Sequence, residues 1–269
     1  MDRLMMLRVW SRGCPVEAAL NGLPVARTGQ DGGAVTLPVH EYLVSGRNRL
    51  SFVAGVQSVS GELPPVLPRR SRGDLSVQLT LALCHAGQSP ADPNARVLAQ
   101  MAWSPGVNEK HEWPFEFFKD VELPVNFPRW RWLDAPVIQT GPALTRQVLE
   151  LLQSLAVDFQ TGLADNFLQL ARLRSEELAH AYQSTTAAWN QGVRDHLQQC
   201  FEAGLLATVE PPEPDALVLR PLAGGRLVEV LTPKGEPALK TAPGSDPLKT
   251  RVAWPLRLAQ VEGNLYILR

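Results

Sequence analysis

Residues 141–159 read GPALTRQVLELLQSLAVDF, and the apolar residues Leu144, Val148, Leu151, Leu152, Leu155 and Phe159 recur at three- and four-residue intervals. That spacing lines one side of an α-helix. Upstream the rhythm differs. Residues 74–84, DLSVQLTLALC, alternate, with Leu75, Val77, Leu79, Leu81 and Leu83 on one face of a strand. The change falls near Gly141, so separate hydrophobic interiors are expected on either side of it. The reading is two domains: an all-β sandwich over residues 1–135 and an α+β domain over 140–269. The length agrees, since 269 residues at roughly 150 per domain make about two.

Composition narrows the function classes. With 45% apolar and 20% charged residues the chain is an ordinary globular one, not disordered, collagenous or coiled-coil. Lys and Arg number 26 against 27 Asp and Glu, which excludes a general electrostatic grip on nucleic acid. No window approaches the roughly 18 uninterrupted apolar residues of a membrane span. The opening MDRLMMLRVW has Arg8 within a short apolar run; it reads as a strand from Leu4 to Trp10 rather than a secretory leader, and a cytoplasmic location is expected. Cys14, Cys84 and Cys200 are far apart with no C-x-x-C spacing, so they read as small buried hydrophobes.

Of the 23 prolines many, 12, fall within residues 1–135, and proline breaks helices and ends sheet ladders. Strands are expected at Val16 to Leu20, Val35 to Val39, Arg49 to Val53, residues 74–84, and Arg96 to Trp103. Asn21-Gly22 is a hairpin turn, because both residues tolerate positive φ. Ala19-Leu20-Asn21-Gly22 followed by Val39 to Leu50 (VHEYLVSGRNRL) resembles the galactose-binding-like jelly rolls attached to many glycoside hydrolases. The resemblance covers about fifty residues of framework. It implies that Gly46 makes a tight turn, Asn48 bonds back to nearby backbone, and Leu50 enters the core.

Residues 111–133, HEWPFEFFKDVELPVNFPRWRWL, hold seven aromatics: Trp113, Phe115, Phe117, Phe118, Phe127, Trp130 and Trp132. Three roles compete: rings that fill a core or interdomain seam, a partner-binding surface with Arg129 and Arg131 as further anchors, and a carbohydrate platform on Trp130 or Trp132. Read as a strand, Arg129-Trp130-Arg131-Trp132 puts both tryptophans on one face and both arginines on the other. The candidate binding residues are Trp113, Phe115, Arg129, Trp130, Arg131 and Trp132.

After the first helix a second is expected from Asp165 to about Tyr182. A third follows, opened by Ser184, Thr185 or Thr186 and running to Gly204. Strand-like runs follow at Leu217 to Pro221, Arg226 to Leu231, Ala238 to Thr241, Arg251 to Ala259 and Asn264 to Leu268. Turns at Gly224-Gly225, Lys234-Gly235, Gly244-Ser245 and Glu262-Gly263 make them an antiparallel meander. Helices followed by a curled meander, closed by Leu256 to Arg269 (LRLAQVEGNLYILR), resembles the NTF2-like (cystatin-like) cone. That group includes isomerases, dehydratases and binding modules, so the likeness does not choose a function. It leaves a homodimer through an exposed sheet face open.

Chemical motifs are sparse. Glu177-x-x-His180 has the spacing of a di-iron helix ligand pair, but no second copy exists, so no metal is expected. There is no H-E-x-x-H, no G-x-S-x-G and no phosphate loop, and no cofactor is expected. An NTF2-like enzyme would draw on Asp158, His180, Tyr182 or Tyr266. The leading expectation is therefore a non-enzymatic cytoplasmic interaction protein, such as an adaptor, assembly factor or immunity-type inhibitor, that binds a protein partner through the aromatic segment or a sheet face. The alternatives are an NTF2-like small-molecule enzyme of the isomerase or hydrolase class and a carbohydrate-binding sandwich.

Overall fold

In a computed structural model, residues 3–55, 75–85, 87–106, 113–210, 212–242 and 252–269 are described. Asp74, His111, Glu112, the Gly244-Ser245 turn and Arg251 lie outside them. The four sheets formed by the described residues are all antiparallel. Chain contacts cluster into two compact units, one reaching to Arg129 and the other running from Trp130 to Arg269.

The first unit is built from strands β1 (Arg3–Arg12), β2 (Val16–Leu20), β3 (Leu23–Arg27), β4 (Gly32–Pro38), β5 (Gly46–Ala54), β6 (Ser76–His85), β7 (Arg96–Trp103) and β8 (Phe115–Leu123). They form two sheets of order β4-β1-β6-β7 and β3-β2-β5-β8. Strand alternation supplies the core. Met5, Leu7 and Val9 on β1 share one interior with Leu79 and Leu81 on β6, and with Val16, Ala18, Leu20, Leu50 and Phe52 of the other sheet. Asn21 (φ 52°) and Gly22 (φ 78°) make the β2–β3 turn. Gly46 has φ 80°, Leu50 is fully buried, and the Asn48 amide donates to the Val44 and Gly46 carbonyls at 2.8 and 2.9 Å. Its oxygen accepts from Val44 N–H and Asn21 Nδ2.

In the second unit α1 (Pro142–Gln160) buries the expected stripe except Leu151, which is half-buried. The expected second helix is divided into α2 (Asp165–Leu170) and α3 (Arg172–Ala181), because Ala171 between them adopts φ −94°, ψ 7°. The helix α4 (Thr186–Glu202) starts where Thr185 Oγ1 accepts from Ala188 N–H at 3.1 Å. The strands are β9 (Val209–Glu210), β10 (Val218–Leu222), β11 (Leu227–Leu231), β12 (Leu239–Thr241), β13 (Ala253–Trp254), β14 (Arg257–Val261) and β15 (Asn264–Ile267).

The expected single meander is instead two sheets, β10-β11-β14-β15 and β13-β12-β9. The run expected from Arg251 to Ala259 breaks at Pro255, which has no N–H to continue a ladder. α1, α2 and the C-terminal half of α4 pack with β11, β12, β14 and β15 around a second interior. None of its residues belongs to the first. No helix among the described residues is long and apolar enough to cross a membrane.

Candidate functional site

The aromatic segment does not act as one element. Its first part is β8, which among the described residues stands at the end of its sheet and pairs there with β5 alone. Phe115 and Phe117, two residues apart, turn to the same side. Phe115 stacks on Trp103 with centroids 5.0 Å apart, and Phe117 lies 5.8 Å from the buried Phe52. Trp113 meets Trp103 edge-on at 6.3 Å. It packs so closely on Gly55 (φ 72°) that a Cβ there would lie 2.3 Å from the indole. Trp113 and Phe115 are thus half-buried members of an aromatic cluster in the first unit.

Phe118 points the other way and is 52% exposed; Phe117 is 36% exposed. The Arg49 guanidinium lies 4.2 Å from the centre of the Phe118 ring. Asp120 holds that guanidinium at 2.7 Å and also pairs with Arg47. Hydrogen bonds from Arg49 and then Arg47 keep the Asp120 carboxyl well below the usual carboxylate range. Lys119 Nζ donates to the Gln100 carbonyl on β7 at 3.0 Å. The result is an aromatic ring, two arginines and a carboxylate held in one arrangement along an edge strand. Sequence reading missed β8 because Lys119 interrupts the apolar face of Phe115, Phe117, Val121 and Leu123, and Phe118 falls among the charged residues of the other.

The second part of the segment belongs to the other unit. The expected strand Arg129–Trp132 is instead an extended Trp130 followed by a 3-10 turn, Arg131–Leu133. Trp130 and Trp132 are 1% and 3% exposed. The arginine at position 129 is exposed, and Arg131 donates from its backbone to Glu177 Oε1 and from its guanidinium to Glu176, both at 2.6 Å. The Arg269 guanidinium lies 5.6 Å from the Trp130 ring and donates to Glu177 Oε2 at 2.6 Å. Glu177 of the E-x-x-H pair is therefore occupied by these two partners, while His180 is exposed.

The remaining enzyme candidates are dispersed. Tyr182 lies against Trp189 at 5.7 Å. Tyr266 accepts from Arg172 at 2.7 Å and lies beneath that guanidinium. Asp158 uses its backbone carbonyl to end α1. None of Asp158, His180, Tyr182 and Tyr266 lines the groove of about 680 Å³ between α4 and β13. Its walls are Phe167, Trp189, Val193, Leu197, Trp254 and Ile267, with Arg174 and His196 the ionisable side chains lining it. His196 Nε2 is 3.8 Å from Cys200 Sγ, whose thiol burial pushes up rather than activates. Among the described residues no cluster of His, Cys, Asp and Glu could hold a metal ion.

No protein-family model, curated protein or solved structure matches the chain.

Proposed function

We propose that the protein is a non-enzymatic cytoplasmic binding module, a jelly-roll-like sandwich and an NTF2-like α+β domain in one chain, that docks a protein partner along β8. The observation that carries this is the edge position of β8 with Phe118 more than half exposed and braced by Arg49. An edge strand offers backbone N–H and C=O groups to an added strand. Aromatic and arginine side chains held in place beforehand are the types that anchor interfaces, because little side-chain entropy remains to be lost. A homodimer through a sheet face would use the same kind of surface, and sedimentation of the purified protein distinguishes it from a foreign partner.

The test compares wild type with Phe118→Asp, a substitution at an exposed ring. Wild type should retain a partner from native lysate and show slowed hydrogen exchange in the β8 amides of the recovered complex. The variant should lose that partner while keeping its urea midpoint. Equal retention by the variant, with β8 amides exchanging at the free rate, would defeat the reading.

The groove in the second unit favours ligand binding as a second reading. Catalysis has less support, because none of the four expected acid/base residues lines the groove. A carbohydrate platform on Trp130 or Trp132 has no exposed ring at either position.

A further inference from the structure

Side chains leave β8 in two rows. Phe115, Phe117, Val121 and Leu123 lie on one face with Lys119 among them, and Glu116, Phe118, Asp120 and Glu122 lie on the other. The charges of the second face are not equivalent. Asp120 pairs with Arg47 and Arg49. Glu116 and Glu122 are exposed, and among the described residues neither belongs to an ion pair. Arg47 stands directly opposite Glu122 in the β5–β8 ladder, yet its guanidinium goes to Asp120. The charge of Glu116 reaches Arg49, whose guanidinium Asp120 already holds. Two carboxylates outside any ion pair therefore flank the Phe118 ring.

A strand added beside β8 would set its side chains across from these, each pointing to the same face as its opposite number. Opposite charges across such a pair favour the added strand and like charges disfavour it. A second copy of β8, paired antiparallel over the whole strand, would bring Glu116 against Glu122 toward each end and Lys119 against Lys119 at the centre. Paired parallel and in register, every charge would meet itself. Self-pairing is thus repulsive at Glu116, Lys119 and Glu122. The complement is a chain with positive charge across from Glu116 and Glu122. Its other face would be apolar, across from Val121 and from Phe117, which is 36% exposed.

We infer, resting on β8 as the docking strand, that its occupant is an extended foreign segment with Lys or Arg across from Glu116 and Glu122 and apolar residues on its alternate face.

The test is titration of the isotope-labelled full chain with capped peptides, followed by the amide chemical shifts of β8. The peptide KVTVFVK sets Lys across from Glu116 and Glu122 in either strand direction, with valines on its alternate face. It is compared with QVTVFVQ, EVTVFVE and VKTVFKV, the last carrying the same charge on the wrong face. KVTVFVK should bind at least about fivefold tighter than QVTVFVQ, the worth of two cross-strand charge pairs, with EVTVFVE and VKTVFKV no tighter than QVTVFVQ. Molar salt should shrink that preference, because exposed charges are screened. Glu116→Gln/Glu122→Gln should erase it with the urea midpoint kept, and Glu116→Lys/Glu122→Lys should reverse it toward EVTVFVE. Peptides that shift the β8 amides with equal affinity overturn the inference and leave β8 a docking strand of another preference. A preference that survives in a folded Glu116→Gln/Glu122→Gln overturns it as well. So does a sedimenting dimer that Phe118→Asp dissociates, since the occupant is then a second copy. No shift of β8 amides by any peptide also overturns it, and the lysate comparison with Phe118→Asp then decides separately whether β8 docks at all. The peptide series uses wild type alone and decides the matter even if a variant fails to fold.

Discussion

Asn48 shows how much one buried side chain can organise. It is 1% exposed and bonds to Val44 through both backbone groups, to the Gly46 carbonyl and to Asn21. Asn48→Ala leaves these groups without partners where water has little access, so the sandwich should lose about 1–3 kcal/mol, read as a lower urea midpoint. Cys14 makes the pH-dependent case. Burial pushes its thiol up to about 11, above the roughly 8.5 of an exposed thiol. The folded state therefore holds the proton more tightly than the unfolded chain. Its contribution is whole below about 8.5 and is lost as pH rises through about 11. Urea midpoints should fall from pH 8.5 to 11, and Cys14→Ala should flatten that slope; iodoacetamide at pH 8 should leave native Cys14 unlabelled.

At the level of elements, α3 buries a carboxylate beside its apolar side chains. Its Glu177 is buried and accepts from the Arg131 backbone and from Arg269. Glu177→Ala leaves the buried guanidinium without that carboxylate, and removing one partner of a buried pair costs about 3–5 kcal/mol. The expected result is a cooperative urea transition at a clearly lower midpoint, with Glu177→Gln intermediate because it can still accept from the Arg131 N–H. A midpoint unchanged in Glu177→Ala would show that the contact contributes nothing. β8 is the contrasting element. It keeps an outer edge and an exposed ring, and its Lys119 bond to the Gln100 carbonyl ties it to β7.

For the whole molecule, two separate interiors imply that each unit carries its own folding drive. A fragment from Trp130 to Arg269 should fold alone, with helical circular dichroism and a single cooperative urea transition; a spectrum typical of an unfolded chain would show that it cannot.

Local order was readable from residue spacing. The alternation of β1 and β6, the stripe of α1, the Asn21-Gly22 turn and the Gly46–Leu50 framework depend on neighbours within a few positions. Pro255 splitting the last sheet was equally local and could have been read, since a missing N–H is written in the sequence. The aromatic segment was different. Phe118 and Trp130 look alike as residue types, yet one is exposed and the other enclosed. What separates them is distant in the chain: Phe118 is an edge residue because β5 pairs with β8 and, among the described residues, no strand pairs beyond it in that sheet, while Trp130 lies against Arg269. The groove along α4 is likewise a juxtaposition of five elements, α2, α3, α4, β13 and β15. Backbone geometry and hydrophobic period act over one turn or two pleats, so they specify elements; which side chains remain accessible depends on packing between remote segments, and that is fixed only when the chain closes on itself.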